Sequence, residues 1–451
     1  MKKEKAIKPV MEVQLEYFYV DADGREEKKK ALAKITDDEL HLCPELGEPL
    51  RVSLREITNI SEADYRISLE LGPKEKIVLS ELGYQYEDFL RAFMKVHNRR
   101  IAKDMLMDEP IKISGIEAEF FYADRSGQGL QKGSAELIIY ETALLVIPVP
   151  GDFIRIPFGN ISGIEEGDCR LVIKTVSGNA LTLTKLGEQF DLFKKTISEG
   201  INDLSEKNHE FFKELMPGAD ASLLRKVSQV MKDGQAVERG TLISVSSELF
   251  SALEKKIEDF GMKEEYGYLS SIADKEKISL GSKQGLMGDL TGNYFWFLIP
   301  IYDLDNKKPG NAIAMEATTA TGTGKSTYFF RILPRRKYRD VKNITTLRQE
   351  VDSLTETINK AMIDINFRRE PIYLSDEKLS EPQYFKYKIA VEKIPTLRIL
   401  RALFIGRVVH HSVEQWQADV NDLLAFNVTE TDDSKKWENA RAEEDEGKEN
   451  K

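Results

Sequence analysis

Eight residues, Ala320 to Thr327, read ATGTGKST and look most like a reaction centre. A phosphate-binding loop of the form G-x-x-x-x-G-K-[ST] wraps backbone N–H groups around phosphates. Gly324, Lys325 and Ser326 fit its end, but Thr319 stands where the pattern has its first glycine. Such a loop must open a helix whose N-terminus faces the phosphates. Here the following TYFFRIL is rich in aromatic and β-branched residues and predicts a strand. The preceding AIAMEATT predicts another. The expectation is a hairpin turn in which Gly322 and Gly324 supply the unusual φ angles. A nucleotide site at Gly322, Gly324, Lys325 and Ser326 is the alternative.

Other chemistry-bearing residues are scattered. The five histidines, His41, His97, His209, His410 and His411, include no pair at metal-ligand spacing. His97 reads as a core or boundary residue and His410-His411 as a surface pair. No G-x-S-x-G elbow is present. Two basic clusters could hold an anion. DADGREEKKK carries Lys28, Lys29 and Lys30 among the acids Asp21, Asp23, Glu26 and Glu27. RILPRRKYR carries Arg335, Arg336 and Lys337 between Arg331 and Arg339; it suits a phosphate or an acidic peptide, or a solvated strand-to-helix connection. TLRILRALFIGRVV (Thr396 to Val409) reads as buried packing with arginine stems at its edge, or as a membrane-interface segment. With no catalytic constellation, the chain reads as a non-enzyme, without cofactor or metal.

Composition narrows the setting. The 451 residues are 41% hydrophobic and 31% charged, enough for several cores and too apolar for wholesale disorder. The net charge of -11 argues against generic binding to nucleic acid. Two cysteines, Cys43 and Cys169, exclude a disulfide scaffold and a cysteine zinc site. No stretch of about 18 apolar residues predicts a membrane span, and no apolar run follows Met-Lys-Lys-Glu-Lys as a signal peptide requires. A cytoplasmic protein is expected.

The elements that must position these residues repeat. LEYFYVDADG (Leu15 to Gly24) answers AEFFYADRSG (Ala118 to Gly127). TNIS (Thr58 to Ser61) answers GNIS (Gly159 to Ser162), and LSELGYQYEDF (Leu79 to Phe89) answers LTKLGEQFDLF (Leu183 to Phe193). The blocks keep their order, about 103 residues apart. Each copy opens with short alternating runs; in the first these are Val13–Val20, Ala31–Ile35, Glu39–Cys43, Arg51–Leu54, Tyr65–Leu71 and Lys76–Leu79. Each ends with one amphipathic helix. Tyr86, Phe89, Leu90, Phe93, His97 and Ile101 form the first apolar stripe; Phe190, Phe193, Ile197, Ile201 and Leu204 form the second.

About seven strands and a closing helix in about 100 residues resemble the pleckstrin-homology-like (PH-like) fold, over roughly residues 11 to 206. The resemblance implies two tandem β-barrels, each closed by a C-terminal helix, and binding to peptides, proteins or lipids. The tryptophan usual in that helix is absent; Phe89 and Phe193 stand on the helices instead. The family's inositol-phosphate pattern, K-x(n)-[KR]-x-R, is not completed because Lys30 replaces the arginine.

The whole chain reads as α+β: PH-like domains at 11–106 and 112–206, a helical linker at 207–240, and an α+β domain at 241–368. That domain is a candidate third PH-like unit, with strands at Tyr268–Ala273, Lys277–Leu280, Tyr294–Tyr302, Ala312–Thr319 and Thr327–Leu333. A helical region at 369–428 and a disordered acidic tail at 429–451 complete it. The expected function is an adaptor or scaffold that binds a protein or peptide, of basic character given the acidic balance. A peripheral module reading anionic lipid through Lys28, Lys29 and Lys30 or the 396–409 segment is the alternative. A nucleotide-dependent enzyme is third.

Overall fold

A computed structural model describes residues 9–71, 74–104, 109–149, 153–286, 292–305, 307–319 and 326–429. It is a mixed α+β protein of two units, one formed by residues 1–197 with 383–393, the other by 198–382 with 394–451.

The first unit holds two seven-stranded antiparallel sheets. The first sheet comprises β1 (Met11–Val20), β2 (Glu26–Ile35), β3 (Glu39–Pro44), β4 (Leu50–Ser53), β5 (Asn59–Ala63), β6 (Arg66–Glu70) and β7 (Lys76–Ser80), followed by helix α1 (Tyr86–Asp104). The second comprises β8 (Ile111–Ala123), β9 (Gly129–Tyr140), β10 (Ala143–Val149), β11 (Ile154–Pro157), β12 (Ile161–Gly167), β13 (Arg170–Thr175) and β14 (Ala180–Thr184), followed by α2 (Phe190–Leu215), whose residues from Ser198 on belong to the second unit. The spatial orders are β4-β3-β2-β1-β7-β6-β5 and β11-β10-β9-β8-β14-β13-β12, the same arrangement twice.

The repetition reaches the backbone. Gly24 and Gly127 share φ values of 81° and 82°, and Glu81 and Lys185 share 59° and 58°. A non-glycine residue rarely adopts that left-handed region. The matching pairs therefore mark the same turns rather than a chance likeness of composition.

Alternation places Val13, Leu15 and Tyr17 of β1 inside the first sheet, with Leu40 and Leu42 of β3. Phe89 and Phe93 of α1 enter that same core, each burial contributing roughly 1.5–3 kcal/mol. Glu87 and Asp88 in the first turn of α1 and Lys103 in the last suit the helix dipole. A helix from far along the chain, Phe385–Lys393, returns to this unit, where Lys393 Nζ donates to the Thr58 carbonyl at 3.0 Å.

The second unit is built on a six-stranded antiparallel sheet. Its elements are α3 (Ala221–Val230), β15 (Ala236–Glu238), α4 (Arg239–Val245), α5 (Ser247–Ile257), α6 (Lys263–Ser271), β16 (Ser279–Leu286), β17 (Gly292–Ile301), β18 (Ala312–Thr319), β19 (Ser326–Arg331), α7 (Arg335–Asp340), α8 (Ile344–Asp364), α9 (Glu370–Tyr373) and α10 (Asp376–Leu379). The Phe385–Lys393 helix is α11; α12 (Pro395–Leu403), β20 (Phe404–Val409) and α13 (Val413–Thr429) are the last described helices and strand. The sheet is a simple meander, β15-β16-β17-β18-β19-β20, and so differs in topology from the first two.

Several expectations change. The strand expected over Ala31–Ile35 begins earlier, at Glu26, so Lys28, Lys29 and Lys30 lie within β2. Tyr268 to Ser271 end helix α6, because Tyr266 and Leu269 bury themselves in the core and override the strand propensity of the tyrosines. The 207–240 segment contributes strand β15, and the 369–428 segment contributes edge strand β20. The expected disordered tail, apart from Thr429 at the end of α13, lies outside the described residues. No helix among the described residues is long and apolar enough to cross a membrane.

Candidate functional site

Helix α1 carries two stripes. One is apolar and buried. The other places Glu87, Arg91, Lys95 and Asn98 at steps of four, four and three, hence on one face. This polar stripe walls a cleft of about 490 Å³. Strands β8 and β9 form the opposite wall, where Glu117 pairs with Glu136 and Glu119 with Ser134 across the ladder. Glu62 of β5 and Lys185, just after β14, complete the charged lining. Five carboxylates thus face three cations.

The charges are not evenly paired. At the β8 wall, Lys185 Nζ lies 2.5 Å from Glu119 and Lys95 Nζ lies 3.7 Å from Glu117. Arg99, just outside the lining, holds Glu136, and Asn98 Nδ2 donates to the Pro148 carbonyl at 2.9 Å. At the other end, Glu62 and Glu87 form no ion pair among the described residues. Burial first, and then these two carboxylates, push the Tyr86 hydroxyl above its ordinary value. The Tyr65 ring packs edge-on to Tyr86, with centroids 5.5 Å apart, and is 77% exposed at the β5–β6 turn. Glu62 and Glu87 give this end of the cleft negative charge without an ion pair, and the exposed Tyr65 ring lies near it, outside the lining; both attract a lysine or arginine side chain.

The residues singled out in the sequence fare differently. Alternation turns Lys28 and Lys30 to one face of β2 and Lys29 to the other. Lys28 lies 2.6 Å from Glu16, Lys29 pairs with Glu27, and Lys30 lies 3.3 Å from Glu81. The three lysines therefore form no single anion patch.

Arg335 is buried. Its Nε donates to the Asn427 carbonyl at 2.9 Å, and its guanidinium lies over the Phe426 ring. Arg339 Nη2 donates to the Val428 carbonyl at 3.1 Å, and Arg331 Nε to Asn427 Oδ1 at 2.8 Å. Three arginines thus converge on the last turn of α13, two of them on the carbonyls a helix leaves unsatisfied there. Arg336 and Lys337 are exposed.

Gly322, Gly324 and Lys325 lie outside the described residues. Ser326 opens strand β19, which pairs antiparallel with β18. In the 396–409 segment, Leu397 and Leu400 are buried, and Arg401 Nη1 donates to the carbonyls of Pro371 and Leu374 at 2.7 and 2.8 Å. His410 is largely buried rather than on the surface.

Sequence reasoning passed over Glu62, Glu87 and Glu119 because carboxylates are abundant. The usable signal was the polar stripe of α1, four charged or amide residues opposite the aromatic one.

No family model matches this chain, and no curated protein matches it. Among solved structures, one similar chain comes from "Structure of the Spt16D Pob3N heterodimer". The identity is 12%, the TM-score is 0.16, and the match covers 38% of this chain and 86% of that one. A likeness at that score carries no argument about fold or partner.

Proposed function

We propose that this protein is a non-enzymatic, cytoplasmic adaptor whose first unit takes up a basic segment of a partner protein. The observation that carries the reading is the unpaired Glu62 and Glu87 at one end of a cleft with an acidic excess. The repeated strand order, each copy followed by a helix, supports regarding the two sheets as tandem PH-like modules. A lysine or arginine of the partner would sit between Glu62 and Glu87 with its stem along the Tyr65 ring. The remaining charges of the β8 wall would set register at the rim, where they govern association rate and salt sensitivity more than affinity. The ion pairs at Lys28, Lys29 and Lys30 weigh against an anionic-lipid surface there.

The test uses the full chain and a fluorescent lysine- and arginine-rich peptide, followed by anisotropy. Reversing Glu62 and Glu87 to lysine should weaken binding by roughly tenfold or more, about 1.4 kcal/mol. Reversing two exposed acids of the second unit, Glu350 and Glu414, should leave it nearly unchanged. Equal losses in both pairs would reduce the effect to net charge and overturn the reading.

A further inference from the structure

The least expected side chain in the second unit is Glu316. It sits within β18 and is 0% exposed. A carboxylate in that position is costly unless charge and hydrogen bonds compensate it. The compensation comes from three other elements. Thr327 Oγ1 of β19 donates to Glu316 Oε2 at 2.6 Å, and Trp416 Nε1 of α13 donates to that same threonine oxygen at 3.2 Å. His410, the residue after β20, brings Nε2 to 3.1 Å from Glu316 Oε2.

The other face of the imidazole decides its state. His410 Nδ1 lies 3.5 Å from Glu265 Oε1 of α6. A neutral imidazole carries one N–H and cannot donate towards carboxylates on both sides. An imidazolium can. The charged groups acting on His410 are Glu316 from β18 and Glu265 from α6. β19 and α13 present Thr327 and Trp416, which do not titrate.

The hydroxyl, imidazole and carboxylate also resemble a nucleophile with its base. Thr327 Oγ1 is 3.1 Å from His410 Nε2. Thr327 is fully buried, however, so no substrate atom reaches it. A structural role in joining the end of β20 to its neighbours fits better. β20 is the sheet's edge strand, and its pairing with β19 slips between Phe329 and Phe330. α6 follows a kink at Glu258–Met262, in which Phe260 and Gly261 leave the helical backbone conformation and Gly261 has φ 83°. Each element therefore has an irregular joint beside it.

We propose that Glu265, His410 and Glu316 form a proton-operated clasp: the imidazolium ties the end of β20 to α6 and β18, and loss of its proton loosens that edge of the sheet. Burial alone would lower the His410 value, but the hydrogen bond to Glu316 and the two negative charges outweigh it and raise the value. Glu316 is also raised, chiefly by burial. Groups raised in the folded state stabilise it fully below their unfolded values, and the contribution fades as pH rises through the folded ones. The clasp is thus closed where His410 is protonated and Glu316 still ionised, and it opens as pH rises through the His410 titration.

The experiment follows the histidine ring signals of the full chain by NMR from pH 5 to 9, alongside amide exchange of residues 263–271 and 404–409 corrected for intrinsic rates. His410→Gln identifies the signal; should that variant fail to fold, the resonance displaced by Glu265→Gln identifies it instead. Expected are a His410 midpoint above the ordinary 6.5 and about tenfold weaker proton binding in Glu265→Gln. Protection of β20 and α6 should fall as pH rises through that midpoint, at a lower pH in Glu265→Gln. A midpoint at or below 6.5, or a pH response of protection unmoved by Glu265→Gln, overturns the clasp.

Discussion

Arg99 of α1 closes on Glu136 of β9 with two donors on one oxygen, Nε at 3.1 Å and Nη2 at 2.9 Å from Oε1. The pair joins the helix after the first sheet to the second sheet and forms part of the cleft's foundation. Its two members are not equivalent, since the Glu136 side chain is only 7% exposed and that of Arg99 is 47% exposed.

That asymmetry sets a first prediction. Arg99→Ala strands a buried carboxylate and should cost about 1–3 kcal/mol in urea unfolding. Glu136→Leu removes the buried charge, so Arg99→Ala added to it should cost far less. A double-mutant cycle reads the difference as coupling energy. Additive losses would show that the contact contributes nothing beyond its parts.

His97 gives the second. Its ring is 5% exposed on α1 and lies along Phe93, with centroids 6.3 Å apart. Burial is the main reason its value is held down to about 4, and the Lys393 ammonium adds to the effect. The unfolded chain takes up a proton near 6.5 that the native state refuses until about 4. This contribution is therefore complete above 6.5 and falls as pH drops through that window, by roughly 3 kcal/mol. Denaturant midpoints at pH 7 and pH 4.5 check it: His97→Phe should flatten the acid loss in the first unit. An unchanged loss would assign the acid sensitivity elsewhere. The sign is opposite to that of His410, so acid should loosen the first unit while tightening the clasp in the second.

The third prediction concerns Arg335, which the sequence offers as an anion ligand and the fold places beneath α13. Asn427, whose carbonyl it binds, also donates through Nδ2 to the carbonyls of Gly310 and Asn311, each at 2.9 Å. Arg335→Ala should cost about 2–3 kcal/mol in thermal or urea unfolding. Arg335→Lys should recover little, because an ammonium lacks the planar fork that meets the carbonyls and lies over Phe426. Binding of the basic peptide in the cleft should not change in the folded variant. Full stability in Arg335→Ala would return the residue to the list of ligand candidates.

Local chemistry was legible in the amino-acid order. Alternation predicted most strands of the first sheet, three-and-four spacing predicted α1, and recurring turn residues showed the duplication. Such signals act between neighbours in the chain, so Gly24 and Gly127 adopt one backbone conformation whatever surrounds them. Partners distant in sequence were a different matter. Val409 pairs with Ser326, 83 positions away, which made a strand of a stretch that reads as helical. Helix α11 returns to the first unit before α12, β20 and α13 are added to the second. The acids beside His410 come from α6 and β18, and the cleft's carboxylates from β5, α1, β8 and β9. Residue type sets what each side chain can do, but only the folded backbone decides which charges meet. At these separations no helical or strand period relates one residue to the next; packing of the assembled elements does.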